Sequence, residues 1–297
     1  MICHADVTAL LATAPLLDAE RGALAGYRLH WVDSAGDPLA ADSYQHLAKY
    51  FGVRGELEAR ADWMHLIDAA RPPLVCDDVV VARPLLVALT QDGAIAAIAE
   101  RYVAYDTPSA VLSALDSILL VLPGHRGAGL GPILDRLLIH AGRRLLSDHG
   151  AFEARVGLEL GDLEPLPRHG PCDPDAVRRV AVWGRNGYAL IPPDVFPLSL
   201  LGMAAEGHDG RVSVPMLAVL RAGMSEVREP TLHVAKAHLR TLARHLAAAH
   251  RWTQADAVLA TRAHRLASID AAEADPVPLF PLPQHPLHEI PDFLCLA

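Results

Sequence analysis

Apolar positions recur at strand spacing in some stretches of this chain and at helix spacing in others, and the two periods divide it into elements. Gly26 to Val32 reads as a first strand, followed by the turn Asp33-Ser-Ala-Gly-Asp-Pro38. From Ala40 to about Ala70 the period is helical, with Tyr44, Leu47, Tyr50 and Phe51 at helix spacing, until Arg71-Pro-Pro73 ends it. Pro84 to Thr90 and Ala94 to Asp106 read as strands joined by Gln91-Asp92-Gly93, a hairpin signal. Val111 to Leu122 is the next strand, and Pro132 to about Asp148 the next helix. A strand over Ala154–Leu160, a short helix over Ala176–Asn186 and a strand starting at Tyr188–Ile191 follow, with Val212–Leu220 as a closing strand.

The join between the Val111 strand and the Pro132 helix carries the chemistry. The apolar run Ile118 to Leu122 stops at Pro123 and enters a loop with glycines at 124, 127, 129 and 131. Glycine permits positive φ and close approach of backbone to a ligand. A helix N-terminus adds unpaired N–H groups and the positive end of a dipole, so the segment is built to cradle a pyrophosphate. It is no Walker A loop, because Gly131 is followed by Pro132-Ile133 rather than Lys-Ser/Thr. The spacing G-x-G-x-G also departs from the dinucleotide fingerprint G-x-G-x-x-G.

The pattern V-x-P-x-x-R-G-x-G-x-G is met at Val121, Pro123, Arg126, Gly127, Gly129 and Gly131. It resembles the acetyl-CoA-binding motif of the GNAT (GCN5-related) N-acyltransferases. The element order around it, and the later Val180-Ala-Val-Trp-Gly-Arg-Asn-Gly-Tyr188, fit the same family, whose second pattern is an aromatic, three residues, then Gly-Phe or Gly-Tyr. Clear resemblance covers Pro84 to Ile191. It implies an α/β fold, an α+β mixed sheet whose central strands, Val111–Leu122 and Ala154–Leu160, splay apart to admit the pantetheine arm. On this reading residues 1–225 form the GNAT-like domain, 226–270 a C-terminal helical extension, and 271–297 a Pro/Leu-rich extended tail.

The resemblance also implies roles. Backbone N–H groups from Arg126, Gly127, Ala128, Gly129, Leu130 and Gly131 would hold the diphosphate, with Arg126 adding charge. The N–H of Leu119 would polarise the thioester carbonyl as it becomes an oxyanion, and Val121 would bond the pantetheine amides. The attacking amine must be neutral, and an alkylammonium has a pKa near ~10.4, so a base or a water chain must take its proton. Glu100 and Asp116 interrupt mostly apolar strands and are the candidates; a solvent-facing charge or a structural ion pair is the alternative for each. By strand alternation Asp116 shares its face with Ile118 and Leu120 unless a bulge changes the phase. Many family members place a tyrosine acid four residues before the Gly-Phe pair, whereas this chain has Trp183, which is no useful acid. Tyr188, Tyr102 or Tyr105 could replace it in protonating the leaving thiolate.

Composition narrows the partners. The net charge of −9 argues against a general nucleic-acid binder, and no apolar stretch reaches the ~20 residues of a membrane span. Met1 to Glu20 lacks the basic start and apolar run of an export signal, and Cys3, Cys76, Cys172 and Cys295 form no C-x-x-C pair. A cytoplasmic protein in a reducing compartment is expected. No metal is expected either: His233, His238, His245 and His250 fall at spacings of 5, 7 and 5, which share no helix face. No G-x-S-x-G element points to a hydrolase.

The expected function is therefore transfer of an acetyl group from acetyl-CoA to a primary amine of a small molecule or peptide. A degenerate GNAT fold that binds acyl-CoA or acts as a scaffold is the rival. A third reading takes acyl groups from a carrier protein through the basic helical pair expected at Thr231–Ser268. The tail after Asp275 has six prolines with leucines between them, so it should be extended and lie across the body or a neighbouring subunit, which leaves a homodimer open.

Overall fold

The computed structural model describes residues 5–52, 57, 60–69, 74–76, 79–107, 110–163, 166, 173–191, 198–202, 212–222, 279–285 and 294–295. The expected helical pair at 231–268 lies outside them. The chain divides into two compact units, Met1–Ala154 and Arg155–Ala297. Among the described residues no helix is long and apolar enough to cross a membrane.

The first unit opens with helices α1 (Ala5–Thr13) and α2 (Asp18–Leu24), then β1 (Tyr27–Val32), α3 (Pro38–Tyr50) and α4 (Arg60–Ala69). Five strands follow: β2 (Leu74–Cys76), β3 (Val79–Ala82), β4 (Leu85–Thr90), β5 (Ile95–Asp106) and β6 (Val111–Val121). After the glycine loop comes α5 (Leu130–Leu145). The sheet is antiparallel, in the order β1-β4-β5-β6. The short β2–β3 hairpin extends the β4 edge, so that Ala82 faces Val103 and Leu85 faces Glu100 on the same side of β5.

Period and burial agree here. On one face Leu86, Ala97 and Ala99 pack with Leu130, Ile133, Leu134, Leu137 and Leu138 of α5, and α1 and α2 complete that layer. On the other, Val32, Leu85, Val87, Ile98 and Leu120 meet Ala40, Tyr44 and Leu47 of α3 and Trp63 and Ile67 of α4. Alanines at 96, 97 and 99, all fully buried, let α5 come close to β5. Asp37 starts α3 by accepting a bond from Leu39 N–H at 2.9 Å, with Pro38 in the first turn where a missing N–H is harmless.

The single helix expected from Ala40 to Ala70 is two helices, α3 ending at Tyr50 and α4 starting at Arg60. Gly52 follows the C-cap of α3, and glycine is a poor helix former. The β2–β3 hairpin has little local signal, because its pairing to β5 is long-range. Otherwise the sequence boundaries are met within about three residues, inside the usual fraying of element ends.

The second unit contains β7 (Arg155–Leu163), α6 (Pro174–Arg185), β8 (Ala189–Leu190), β9 (Leu198–Gly202), β10 (Val212–Ala222) and β11 (Phe280–Pro281). Strand β10 is central, pairing antiparallel with β7 and β8 along its C-terminal half and with β9 along its N-terminal half. Asp173 caps α6 by accepting from Asp175 N–H, again with proline at the first helical position. In the described part of the tail β11 pairs with β8, Leu282, Leu294 and Cys295 are buried, and Leu166 N–H donates to the Leu294 carbonyl.

Candidate functional site

The loop between β6 and α5 is shaped by two glycines. Gly127 has φ +84° and Gly129, the N-cap of α5, has φ +77°. These are left-handed values that a side chain would strain. Most helices satisfy their first N–H groups with a Ser, Thr, Asp or Asn side chain, but glycine at the cap supplies none. Arg126 and Ala128 N–H groups make long turn bonds of 3.4 Å to Pro123 and His125 carbonyls. The N–H groups of Gly127, Gly129, Leu130 and Gly131 have no acceptor among the described residues. Pro132 then removes a donor that would be surplus. The result is a run of main-chain donors in an exposed loop at a positive helix end, which suits a doubly charged diphosphate.

Strand β6 leads into this cradle with a defined edge. Leu122 N–H donates to the Ala96 carbonyl on β5 at 3.0 Å. In an antiparallel pair such bonds recur at every second residue, so Leu120 and Ile118 also turn their main-chain groups to β5. Leu119 and Val121 therefore send theirs to the opposite edge. The Val121 carbonyl there accepts a bond from Arg126 Nε at 3.2 Å. A Cβ built on Gly131 would lie 3.4 Å from Leu119 Cδ2 and 4.0 Å from Val121 Cγ2, so the strand edge and the cradle adjoin.

A bulge sets which residues occupy that edge. Arg101 on β5 faces Ser117, but the next residue, Tyr102, faces Leu115, and Asp116 has no counterpart. The extra residue reverses the alternation along β6. The phase change anticipated as an exception in the sequence thus falls on Asp116 itself.

Glu100 is 3% exposed and lies in a buried ion pair. Arg83 Nη2 donates to Glu100 Oε1 at 2.7 Å, Trp63 Nε1 donates to Oε2 at 3.0 Å, and the Arg83 guanidinium stacks over the Tyr102 ring at 4.8 Å. The partners Trp63 and Arg83 were not singled out in the sequence; an acid inside an apolar strand was the signal that some partner must exist. Two further contacts were equally illegible: Arg101 with Asp135 on α5, and Tyr27 Oη with His125 Nδ1 at 3.2 Å. Among the described residues no three His, Cys, Asp or Glu side chains are grouped to hold a metal ion.

Tyr188 belongs to the second unit, where it is buried, donates to Glu159 Oε2 at 3.4 Å and meets Trp183 edge to face at 4.5 Å between ring centres. The structure brings Leu119, Val121 and Arg126–Gly131 together in the first unit, with Glu100 and Asp116 on the strands beside them. Two antiparallel strands, β4 and β5, then β6 feeding the glycine loop, α5, β7 and α6 follow in the order that the resemblance implied.

No protein-family profile matches the chain, and no curated protein matches it. Among solved structures it is similar to a GNAT superfamily phosphinothricin acetyltransferase from Sinorhizobium meliloti in complex with acetyl-CoA, at 16% identity and a TM-score of 0.36, covering 69% of this chain and 94% of that one. An acetyltransferase of the GNAT family from Staphylococcus aureus is similar at 9% identity and a TM-score of 0.37, covering 66% and 99%. A spermidine N-acetyltransferase chimera from Vibrio cholerae is similar at 11% identity and a TM-score of 0.35, covering 67% and 96%.

Proposed function

We propose that this chain is an acyl-CoA-dependent N-acyltransferase that moves an acetyl group to a primary amine on a small molecule or peptide. The observation that carries the reading is the uncapped cradle at Gly127–Gly131, adjoining the outward main-chain edge of Leu119 and Val121. A diphosphate in the cradle and an amide-bearing arm along β6 are what that combination fits. Arg126, exposed and bonded to a carbonyl at the site, can supply charge to the phosphates. The Leu119 N–H is the donor for the oxyanion that forms when an amine attacks the thioester carbonyl. Collapse of that intermediate breaks the C–S bond, and the thiolate takes a proton as the amide forms. Glu100 and Asp116 are the candidates for receiving the amine proton, and Tyr188 for returning one to the thiolate.

One observation favours a second reading, an acyl-CoA-binding or scaffold protein without turnover. Both aromatics of the later motif are engaged in packing: Trp183 and Tyr188 lie against each other, and the Tyr188 hydroxyl is bonded to Glu159. Calorimetry with acetyl-CoA on the wild type and on Gly129→Asp tests the shared first step. Binding in the micromolar range that Gly129→Asp abolishes supports the cofactor site, since a carboxylate there strains the loop and repels phosphate. Thiol release with a panel of amines then separates catalysis from binding. A folded wild type that binds no acetyl-CoA sinks both readings.

A further inference from the structure

Consecutive residues of a strand point to opposite faces, so Glu100 and Arg101 cannot share a partner, and each buried charge needs its own. Each has one. Glu100 is held by Arg83 and Trp63 on the face covered by α3 and α4. On the other face Arg101, 2% exposed, donates through Nη1 to Asp135 Oδ1 on α5. The two residues face Ile118 and Ser117, the last paired positions of β6 before the bulge at Asp116. Asp135 stands on the helix whose N-terminus is the anion cradle, five residues after Leu130. The Arg101–Asp135 pair therefore ties β5 to the cradle helix, at the β5 residue that pairs with Ser117 beside the bulge of β6.

We propose that Arg101 is a positioning residue: by holding Asp135 it fixes the spacing between the main-chain groups of Leu119 and Val121 and the donors at Gly127–Gly131. The inference rests on the acyl-CoA reading, because only a ligand that spans both places needs that spacing. Arg101 is buried and the Asp135 side chain is 17% exposed, and a pair of this kind is often no more stabilising than apolar packing of the same volume. Helix α5 already packs through an apolar stripe onto β5, and apolar burial carries no direction of its own. A guanidinium bonded to a carboxylate is directional and supplies one. Glu100 secures the same point of β5 from the opposite face.

The test compares ADP, which reaches only the cradle, with CoA, which also reaches β6. Their affinities are measured by calorimetry and by competition against acetyl-CoA for the wild type, Arg101→Met, Arg101→Lys and Arg101→Met/Asp135→Leu. The double variant removes both members of the pair, so it is expected to be the more stable of the two where Arg101→Met loses stability. ADP affinity is expected to stay at the wild-type value while the advantage of CoA over ADP falls at least about tenfold, with kcat for acetyl transfer down about a hundredfold as for a misplaced reacting group. Arg101→Lys, which keeps the charge, should restore part of both. A folded double variant with the wild-type ratio of CoA to ADP affinity and unchanged kcat overturns the positioning role and leaves the cofactor reading standing. A wild type that binds no CoA overturns the cofactor reading, and the positioning role with it.

Discussion

Gly142 of α5 lies so close to Val103 of β5 that a Cβ at position 142 would sit 2.5 Å from the Val103 Cβ. Real Cβ atoms do not approach so closely, so the glycine sets how near the cradle helix comes to the sheet. Gly142→Ala should therefore destabilise the protein by about 1–3 kcal/mol, the usual range for overpacking, although alanine is the better helix former. Val103→Ala in the same chain should recover part of that loss, and chemical denaturation of the four variants measures the coupling. Additive losses would show that the two side chains do not compete for the space.

The Arg83–Glu100 pair makes an asymmetric prediction. Arg83→Met strands a buried carboxylate and should cost about 3–5 kcal/mol, whereas Arg83→Met with Glu100→Gln should recover most of it. Trp63→Phe removes one donor to the same carboxylate and should cost about 1.5–3 kcal/mol. Thermal melts rank the variants, and a melt of Arg83→Met like the wild type would show that the pair adds nothing.

The two carboxylate candidates for the base are separable by kinetics. Glu100→Gln keeps the size of the side chain and its acceptor oxygen toward Trp63, and Asp116→Asn does the same at the bulge. Whichever residue takes the amine proton should lose about a hundredfold or more in kcat on substitution, with loss of the acid limb of the pH–rate profile. The other variant should keep its kcat.

His140 of α5 contacts Thr13 of α1, with Nε2 and Oγ1 2.9 Å apart. Burial first, and then the charges of Arg143 and Arg144, hold its pKa below the ordinary 6.5. The unfolded chain consequently binds that proton more readily, so stability is full above about 6.5 and falls as the pH drops below it, until the folded-state value is passed. His140→Gln should flatten this part of the stability profile between pH 7.5 and 5, read by denaturant titration. An unchanged slope in the variant would assign the acid sensitivity to other groups.

The tail supplies a prediction in the second unit. A Cβ at Gly184 of α6 would lie 2.2 Å from the Pro283 carbonyl oxygen and 2.7 Å from that of Leu282. Arg185 Nη1 also donates to the Gln284 carbonyl, so the helix holds the tail by its backbone. Gly184→Ala should dislodge residues 280–284 and make them cleaved faster than the wild type in limited proteolysis. Equal cleavage of both would mean that this face of α6 does not retain the tail.

Much of the site was legible because its signals are local. Val121, Pro123, Arg126 and the three spaced glycines fix a strand end, a turn and a helix start within a dozen residues. The left-handed φ at Gly127 and Gly129 is the conformation for which glycine is the ordinary residue. The hairpin at Gln91–Gly93 was legible for the same reason, whereas the helices start at Pro38 and Pro174, two residues before the Ala40 and Ala176 at which the period was read.

What the sequence determined by itself is thus the order of strands and helices from β4 to β8 and the anion loop, because backbone stereochemistry and hydrophobic period act over a few residues. Only the tertiary structure decided that Asp116 is the bulged residue, that Glu100 meets Arg83 and Trp63, and that Arg101 reaches Asp135. Those facts depend on register between strands and on the approach of helices to a sheet. Residues far apart in the chain set both, and no local pattern records which partner a buried charge will find.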